Sequence, residues 1–235
     1  MNAIHFFDGR RTICHKNMNN RGFLNTHNFI KACSIGIANP RENPKVLDLG
    51  CGQGGDIKKL MKLNPSVLFA TDISKNALAQ YSKRVRNISC NIHIFSHDIR
   101  TSFHEDSRFF TKFDMINCQF ALHHAFENEK SATMCIQSIS KLLEIGGVIV
   151  ISIPIHAVSF EKTTVFMDDK VYSESTVSKK VLLDMCKKFD LVLDTWLSYE
   201  EALVHYKYIY PKLHGIMKVK SAPSKNNIIS IFVKR

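Results

Sequence analysis

Five short apolar runs recur along the chain: "KVLDLG" (45–50), "VLFATD" (67–72), "NIHIFSHD" (91–98), "FDMINCQF" (113–120) and "VIVISIP" (148–154). Each is nearly continuous in apolar residues, the pattern of a strand covered on both faces. Between them lie segments with helical spacing. "CGQGGDIKKLMKL" (51–63) turns and enters a helix that Asn64-Pro65 breaks. "SKNALAQYSKRVR" (74–86) starts on a serine N-cap, and "NEKSATMCIQSISKLL" (128–143) is a long helix with Gly146-Gly147 as its stop. Ahead of the first strand, "NTHNFIKACSIGI" (25–37) places Phe29, Ile30, Cys33 and Ile37 near one helical face. Strand alternating with helix predicts an α/β chain with a parallel sheet. After residue 154 the pattern predicts a helix over 176–188, a strand near 190–196 and a last strand over 228–234. The Lys- and Tyr-rich stretch 205–227 reads as loop-rich surface. A length of 235 residues suits one domain with its own core. The division expected is an N-terminal segment 1–40, a core 41–154 and a C-terminal part 155–235.

Charge adds a partner to this picture. The formal net charge is +11, a surplus that points to an anionic partner, nucleic acid before an acidic membrane surface. Seven cysteines are scattered at 14, 33, 51, 90, 118, 135 and 186 with no C-x-x-C pair, so they form neither a disulfide framework nor a zinc motif. No secretory signal opens the chain and no apolar run reaches about 18 residues, which predicts a soluble intracellular protein.

The first strand runs into glycines. Gly50, Gly52, Gly54 and Gly55 follow it, at the strand end where open α/β sheets bind ligands. Asp72 ends the second strand, at the spacing of a carboxylate that accepts from ribose hydroxyls. A dinucleotide and S-adenosylmethionine both use such a loop. The spacing here is G-x-G-x-G-G, and Asp48 and Asp56 flank it. Carboxylates beside a pyrophosphate repel it, whereas the sulfonium and amino group of S-adenosylmethionine tolerate them, so that cofactor is favoured over NAD. Asp98, closing the third strand, is placed to accept from an adenine amino group, and Gln119, ending the fourth, to face the methionine end.

"VLDLGCGQGGDIKKL", "TDIS", "CQFALHHAFENE" and "IGGVIVISIP" together resemble the messenger-RNA cap guanine-N7 methyltransferases, over about residues 22–192. The resemblance implies a class I methyltransferase fold: a seven-stranded, mostly parallel sheet, helices on both faces, last strand antiparallel. It implies S-adenosylmethionine as cofactor and GpppN-capped RNA as substrate. For the cofactor it implies Lys31 against the carboxylate, contacts from Asp48, Gly50, Gly52, Asp72, Asp98 and Gln119, and His124 as a wall. For the cap it implies Asn28, Lys59 and Arg84 on the cap side and its phosphates, Phe120 packing on guanine, and His123 bonding to it. Pro154 would line that pocket, and Glu174 would accept from guanine N1–H and N2–H₂. His124 stands where the family has tyrosine, only about 20 residues separate Pro154 from Glu174 where the family carries a long β-rich insertion, and the family's late tyrosine is replaced near Asn227 or Ile228.

His123 and His124 would point apart if they left the strand together, which disfavours a metal pair. Guanine N7 carries a lone pair and no proton, so the resemblance implies positioning rather than acid–base catalysis, with no metal. It further implies a capping guanylyltransferase or the transcription machinery as partners, work in the nucleus or another transcribing compartment, no membrane, and a monomer. The alternatives are a methyltransferase acting on another RNA or a small molecule, a catalytically inactive RNA-binding subunit of the same fold, and an NAD-binding module.

Overall fold

A computed structural model describes residues 21–38, 41–167, 170–219 and 226–235. Cys14, the first part of the N-terminal segment and part of the 205–227 connector therefore lie outside the described residues. Helix α1 (Arg21–Ile37) buries Thr26, Phe29, Ile30, Cys33 and Ser34, the three-and-four spacing of one helical face. Strand β1 (Lys45–Leu49) leads through the glycine turn into a short α2 (Ile57–Leu60) and a 3₁₀ turn, which ends where Asn64 turns left-handed before Pro65. Then follow β2 (Val67–Asp72), α3 (Lys75–Val85), β3 (Asn91–Ser96), β4 (Phe113–Gln119), a 3₁₀ turn (Leu122–Glu127), α4 (Glu129–Leu142) and β5 (Leu143–Pro154). Ser74 caps α3 by accepting from the Ala77 N–H at 3.0 Å, and Asn128 and Ser131 form a capping box on α4.

The remainder is a hairpin of β6 (Lys162–Met167) and β7 (Lys170–Ser175), α5 (Lys179–Lys188), β8 (Leu191–Ser198), α6 (Tyr199–Ile209), α7 (Pro211–Ile216) and β9 (Asn227–Lys234). Seven strands form one sheet in the order β3-β2-β1-β4-β5-β9-β8. Strands β1 to β5 are parallel, and β9 runs antiparallel to both neighbours, as expected for the last strand. The order reverses between β1 and β4, which opens a crevice at their carboxyl ends. Side chains alternate between two apolar layers. Leu47, Phe69 and Ile116 face one, while Val46, Leu68 and Met115 face the other together with α1 and α6. Among the described residues no helix is long and apolar enough to cross a membrane.

Four expectations are corrected. The 205–227 stretch is not all loop, since α6 and α7 occupy its first half; a Ser198–Glu201 capping box starts α6, and Tyr199, Ala202 and Tyr206 form its buried face. Gly146 and Gly147 do not stop α4, which ends at Leu142; they lie inside β5, where the register with β4 shifts. A Cβ on Gly147 would crowd the Glu144 and Phe113 carbonyls at 2.9 and 3.0 Å, so the glycine serves a close backbone approach. Asp98 lies two residues beyond the end of β3, not at its last position. The fifth apolar run is the end of a longer strand that begins at Leu143.

At Gly50 two constraints coincide. Its φ is +70°, and a Cβ there would overlap the Cβ of Ala121. Gly50→Ala is expected to cost about 2–4 kcal/mol of folding stability from the left-handed backbone and the overlap combined. Urea unfolding of the variant beside the parent protein measures it.

Candidate active site

A polar stripe crosses the apolar sheet at the crevice. Asp48 on β1 is in register with Asn117 on β4, and Gln119, two residues on, is in register with Ser152 on β5. Period two puts Asn117 and Gln119 on one face. Hydrogen bonds join them in one direction. Tyr199 Oη donates to Ser152 Oγ at 2.7 Å, and Ser152 Oγ donates to Gln119 Oε1. Gln119 Nε2 donates to Asn117 Oδ1 at 2.8 Å, and Asn117 Nδ2 donates to Asp48 Oδ1 at 2.7 Å. Asp48 Oδ2 is buried and accepts no hydrogen bond among the described residues. Burial, and then the nearby Asp56 carboxylate, push the Asp48 carboxyl up to about 7.

The glycine turn is built around Asp72. Its Oδ2 accepts from the Gly52 N–H at 2.8 Å and its Oδ1 from the Ser74 N–H at 2.9 Å. Gly50 and Cys51 both donate N–H to the Thr71 carbonyl, folding the turn over the end of β2. Gly52 has φ +52° and open space where a Cβ would point.

Beside the turn, two ammonium groups share one carboxylate. Lys31 Nζ lies 2.9 Å and Lys59 Nζ 2.7 Å from Asp56 Oδ1. Lys59 also donates to Asn28 Oδ1 at 2.9 Å. Burial alone would raise the Asp56 pKa, yet Lys31 and Lys59 bring it below the ordinary value. The Lys59 pKa is lowered, by burial first, with Asp56 opposing and Lys31 adding to the fall. The cluster thus keeps a surplus positive charge next to the glycines.

On the other side of the crevice, β7 delivers Glu174 to the 122–127 turn. Its Oε2 lies 3.5 Å from Nε2 of buried His123, and neither ring nitrogen of His123 makes a hydrogen bond among the described residues. The two histidines do not diverge, which corrects that expectation: they sit in the 3₁₀ turn, not on a strand, and their ring centroids are 4.1 Å apart at 43°. Among the described residues no group of three His, Cys, Asp or Glu side chains could hold a metal. Phe120 takes φ +57° at the end of β4 and lies parallel to His27 with centroids 5.7 Å apart. Tyr199 meets both rings edge-on. Pro154 ends β5 at the same edge, paired with Asn227.

Most of the residues singled out from the sequence therefore converge. Lys31 and Lys59 meet on Asp56, and Asn28 meets Lys59; Gly52 meets Asp72; Asp48 meets Gln119 through Asn117; and His123 meets both His124 and Glu174. Two differ. Asp98 is held by Arg100, whose Nη2 lies 2.7 Å from Asp98 Oδ2; burial pushes the carboxyl up, but these hydrogen bonds bring it below its ordinary pKa. Arg84 is exposed in the last turn of α3, roughly 14 Å along the axis from Lys75, and makes no ion pair among the described residues. His27, Asn117, Ser152 and Tyr199 escaped notice. A serine within "VIVISIP" and an asparagine within "FDMINCQF" were the available signals, polar residues inside runs that otherwise bury only apolar ones.

The sheet order and this crevice define a class I methyltransferase fold. Solved structures agree. A S-adenosylmethionine-dependent methyltransferase from Clostridium acetobutylicum superposes with TM-score 0.62 at 15% identity, covering 90% of this chain and 92% of that one. A glycopeptide N-methyltransferase, MtfA, complexed with sinefungin gives TM-score 0.62 at 12% identity over 88% and 94% of the two chains. The chain belongs to the mRNA (guanine-N(7))-methyltransferase domain family, whose profile matches residues 13–178. It is 29% identical over 141 residues to an mRNA cap guanine-N(7) methyltransferase of Cryptococcus neoformans, covering 57% of this chain and 23% of that protein. With the protein of the same description from Schizosaccharomyces pombe it shares 34% over 116 residues, 46% and 31% of the two chains. The chain thus matches between about a quarter and a third of the length of these relatives.

Asp48 sets a pH dependence. Unfolded, it ionises near its ordinary 3.8; folded, near 7. As pH rises between these values the unfolded chain loses the proton first, so this group's contribution to stability falls across the window and is level above it. Asp48→Asn is expected to remove that decline, changing the stability difference from the parent by on the order of 2–4 kcal/mol between pH 4 and 7; urea titrations at several pH values read it. Tyr199→Phe is expected to cost about 1–2 kcal/mol by leaving Ser152 without its buried donor, read by the same titration at one pH.

Proposed function

We propose that this chain transfers a methyl group from S-adenosylmethionine to N7 of the terminal guanine of GpppN-capped RNA. The observation that carries this reading is the approach of Glu174 to buried His123, in the turn that follows Ala121, the residue packed against Gly50. A carboxylate to accept from guanine N1–H and N2–H₂, an imidazole whose ring nitrogens make no hydrogen bond among the described residues, for the base edge, and an aromatic for its face are what a guanine pocket needs.

The residues also fit the cofactor. Buried Asp48 Oδ2 accepts nothing among the described residues, and an ammonium is the donor that would satisfy it. The surplus charge on Lys31 and Lys59 suits a carboxylate on one side and phosphates on the other. In this reading Gly50 and Gly52 allow close approach, Asp72 takes the ribose hydroxyls, Gln119 faces the methionine end and His124 closes the wall. Asp98 would reach an adenine amino group only while sharing its oxygens with Arg100. Asn28, Lys59 and Pro154 border the cap. The contacts described give Arg84 no part in the site.

When bound, S-adenosylmethionine supplies a methyl group on a positively charged sulfur, open to in-line displacement by the N7 lone pair. Guanine N7 has no proton to lose, so no general base is needed. What the chain provides is alignment and exclusion of water: Phe120, His123 and Glu174 fix the guanine plane, and the Tyr199-to-Asp48 hydrogen bonds fix the Gln119 amide. The reading places the protein after a guanylyltransferase, in the nucleus or another compartment where transcripts are made.

The test is methyl transfer from labelled S-adenosylmethionine to GpppA, with the labelled position found by nuclease digestion. Label on N7 is expected, with kcat/KM reduced at least about a hundredfold in Glu174→Gln and cofactor binding by calorimetry unchanged. Cofactor binding without transfer to GpppA would overturn the cap assignment.

A further inference from the structure

Helix α6 is anchored along one side only. Tyr199, Ala202 and Tyr206 are buried against α1 and the sheet, and the Tyr206 hydroxyl accepts from Ser34 Oγ at 3.1 Å. His214 of α7 meets Phe29 of α1 edge-on at 5.4 Å. The opposite side is bare. Tyr208 is 88% exposed, Ile216 76% and Val204 73%, with Lys207, Lys212 and Lys218 exposed among them. Val204 and Tyr208 are one turn apart and share a stripe.

Charge says what this face suits. Glu200 and Glu201 occupy the first turn of α6, where Glu201 accepts from the Ser198 N–H at 2.7 Å as part of the cap. From residue 202 to the last, 235, the sequence contains no Asp or Glu, while it holds Lys207, Lys212, Lys218, Lys220, Lys225, Lys234 and Arg235. A solvated helix face ordinarily mixes both signs. Cations interleaved with an exposed aromatic are the makings of a single-strand nucleic-acid surface, phosphates on lysine and a base on the ring. The face also lies on a helix that begins beside Phe120. Its helix starts at Tyr199, whose ring lies 5.9 Å from that of Phe120, and runs away from it for roughly 16 Å.

We propose that the outer face of α6 and α7 receives the RNA body that follows the cap, with Lys207 and Lys212 on phosphates and Tyr208 stacked on a base. This rests on the reading of capped RNA as substrate. It assigns the face to single-stranded RNA: a base with a free π-face can stack on Tyr208, whereas bases inside a duplex cannot.

Two measurements separate this inference from the proposed function. Binding of a short capped single-stranded RNA, followed by fluorescence anisotropy against salt, is compared for the parent protein, Lys207→Ala/Lys212→Ala and Tyr208→Ala. All three positions are exposed, so the variants keep the core. The double variant is expected to bind several-fold more weakly and to flatten the slope of log Kd against log salt by about 1.4, near 0.7 per phosphate contact. Tyr208→Ala is expected to weaken binding about tenfold. In parallel, KM for GpppA, which has no RNA body, is expected to stay unchanged while KM for the capped RNA rises. RNA affinity and salt slope that match the parent overturn the surface, whether or not GpppA is methylated. Failure of the parent to methylate GpppA, with RNA affinity still lost in the variants, overturns the activity and supports the surface.

Discussion

A carboxyl group in the middle of an apolar sheet is the constraint around which this site is organised. Asp48 lies between strands that otherwise bury aliphatic and aromatic side chains, and a carboxylate there must find donors or hold its proton. The donors come from the next strands. Asn117 bonds Asp48, Gln119 bonds Asn117, Ser152 bonds Gln119, and Tyr199 closes the series from the first residue of α6. Because each donor points the same way, the orientation of every amide is set by the one before it. The other oxygen of Asp48 is buried without a hydrogen bond among the described residues, on a strand beside the point where strand order reverses. A buried oxygen without a donor costs stability, and a cationic group is what would relieve it.

The neighbouring cluster works by the opposite imbalance. Asp56 is outnumbered by Lys31 and Lys59, so it stays ionised and the pair of lysines keeps unspent charge. Three elements contribute, α1, the glycine turn and α2, and one carboxylate holds their cations at fixed places. A buried positive surplus beside a carboxyl that tends to keep its proton gives the crevice two unlike ends a few residues apart. A zwitterionic amino-acid tail matches both. Phosphates match only the lysine end.

Across the crevice, the hairpin of β6 and β7 brings a carboxylate back over the 122–127 turn. Few residues suffice because β7 need only cross that turn once for Glu174 to come near His123. Two neighbouring histidines in a 3₁₀ turn tilt against each other, so His124 supports His123 from the side. Helix α6 has two unlike sides. Its first residue braces the amide chain and the aromatic wall, and its outer face carries the exposed tyrosine and lysines.

The order of strands and helices, the glycine turn and its acid at the end of β2 were legible because each is a local pattern: apolar runs, caps, and residues that tolerate positive φ. Four residues singled out by motif, Lys31, Lys59, His123 and Glu174, fall into two clusters, Lys31 with Lys59 on Asp56 and His123 with Glu174. Local pattern misled where a glycine pair looked like a helix stop and proved to be a bulge inside β5, and where a Lys- and Tyr-rich stretch hid two helices because half of their apolar residues face solvent. What the sequence determined by itself is the sheet, its crevice and the chemistry of the residues at its rim. What only the tertiary structure decided is which of them pair. Asp56 with Lys31, Tyr199 with Ser152, and Asn117 with Asp48 are separated by 25, 47 and 69 positions, and no periodicity encodes a hydrogen bond between elements that meet only when the sheet closes.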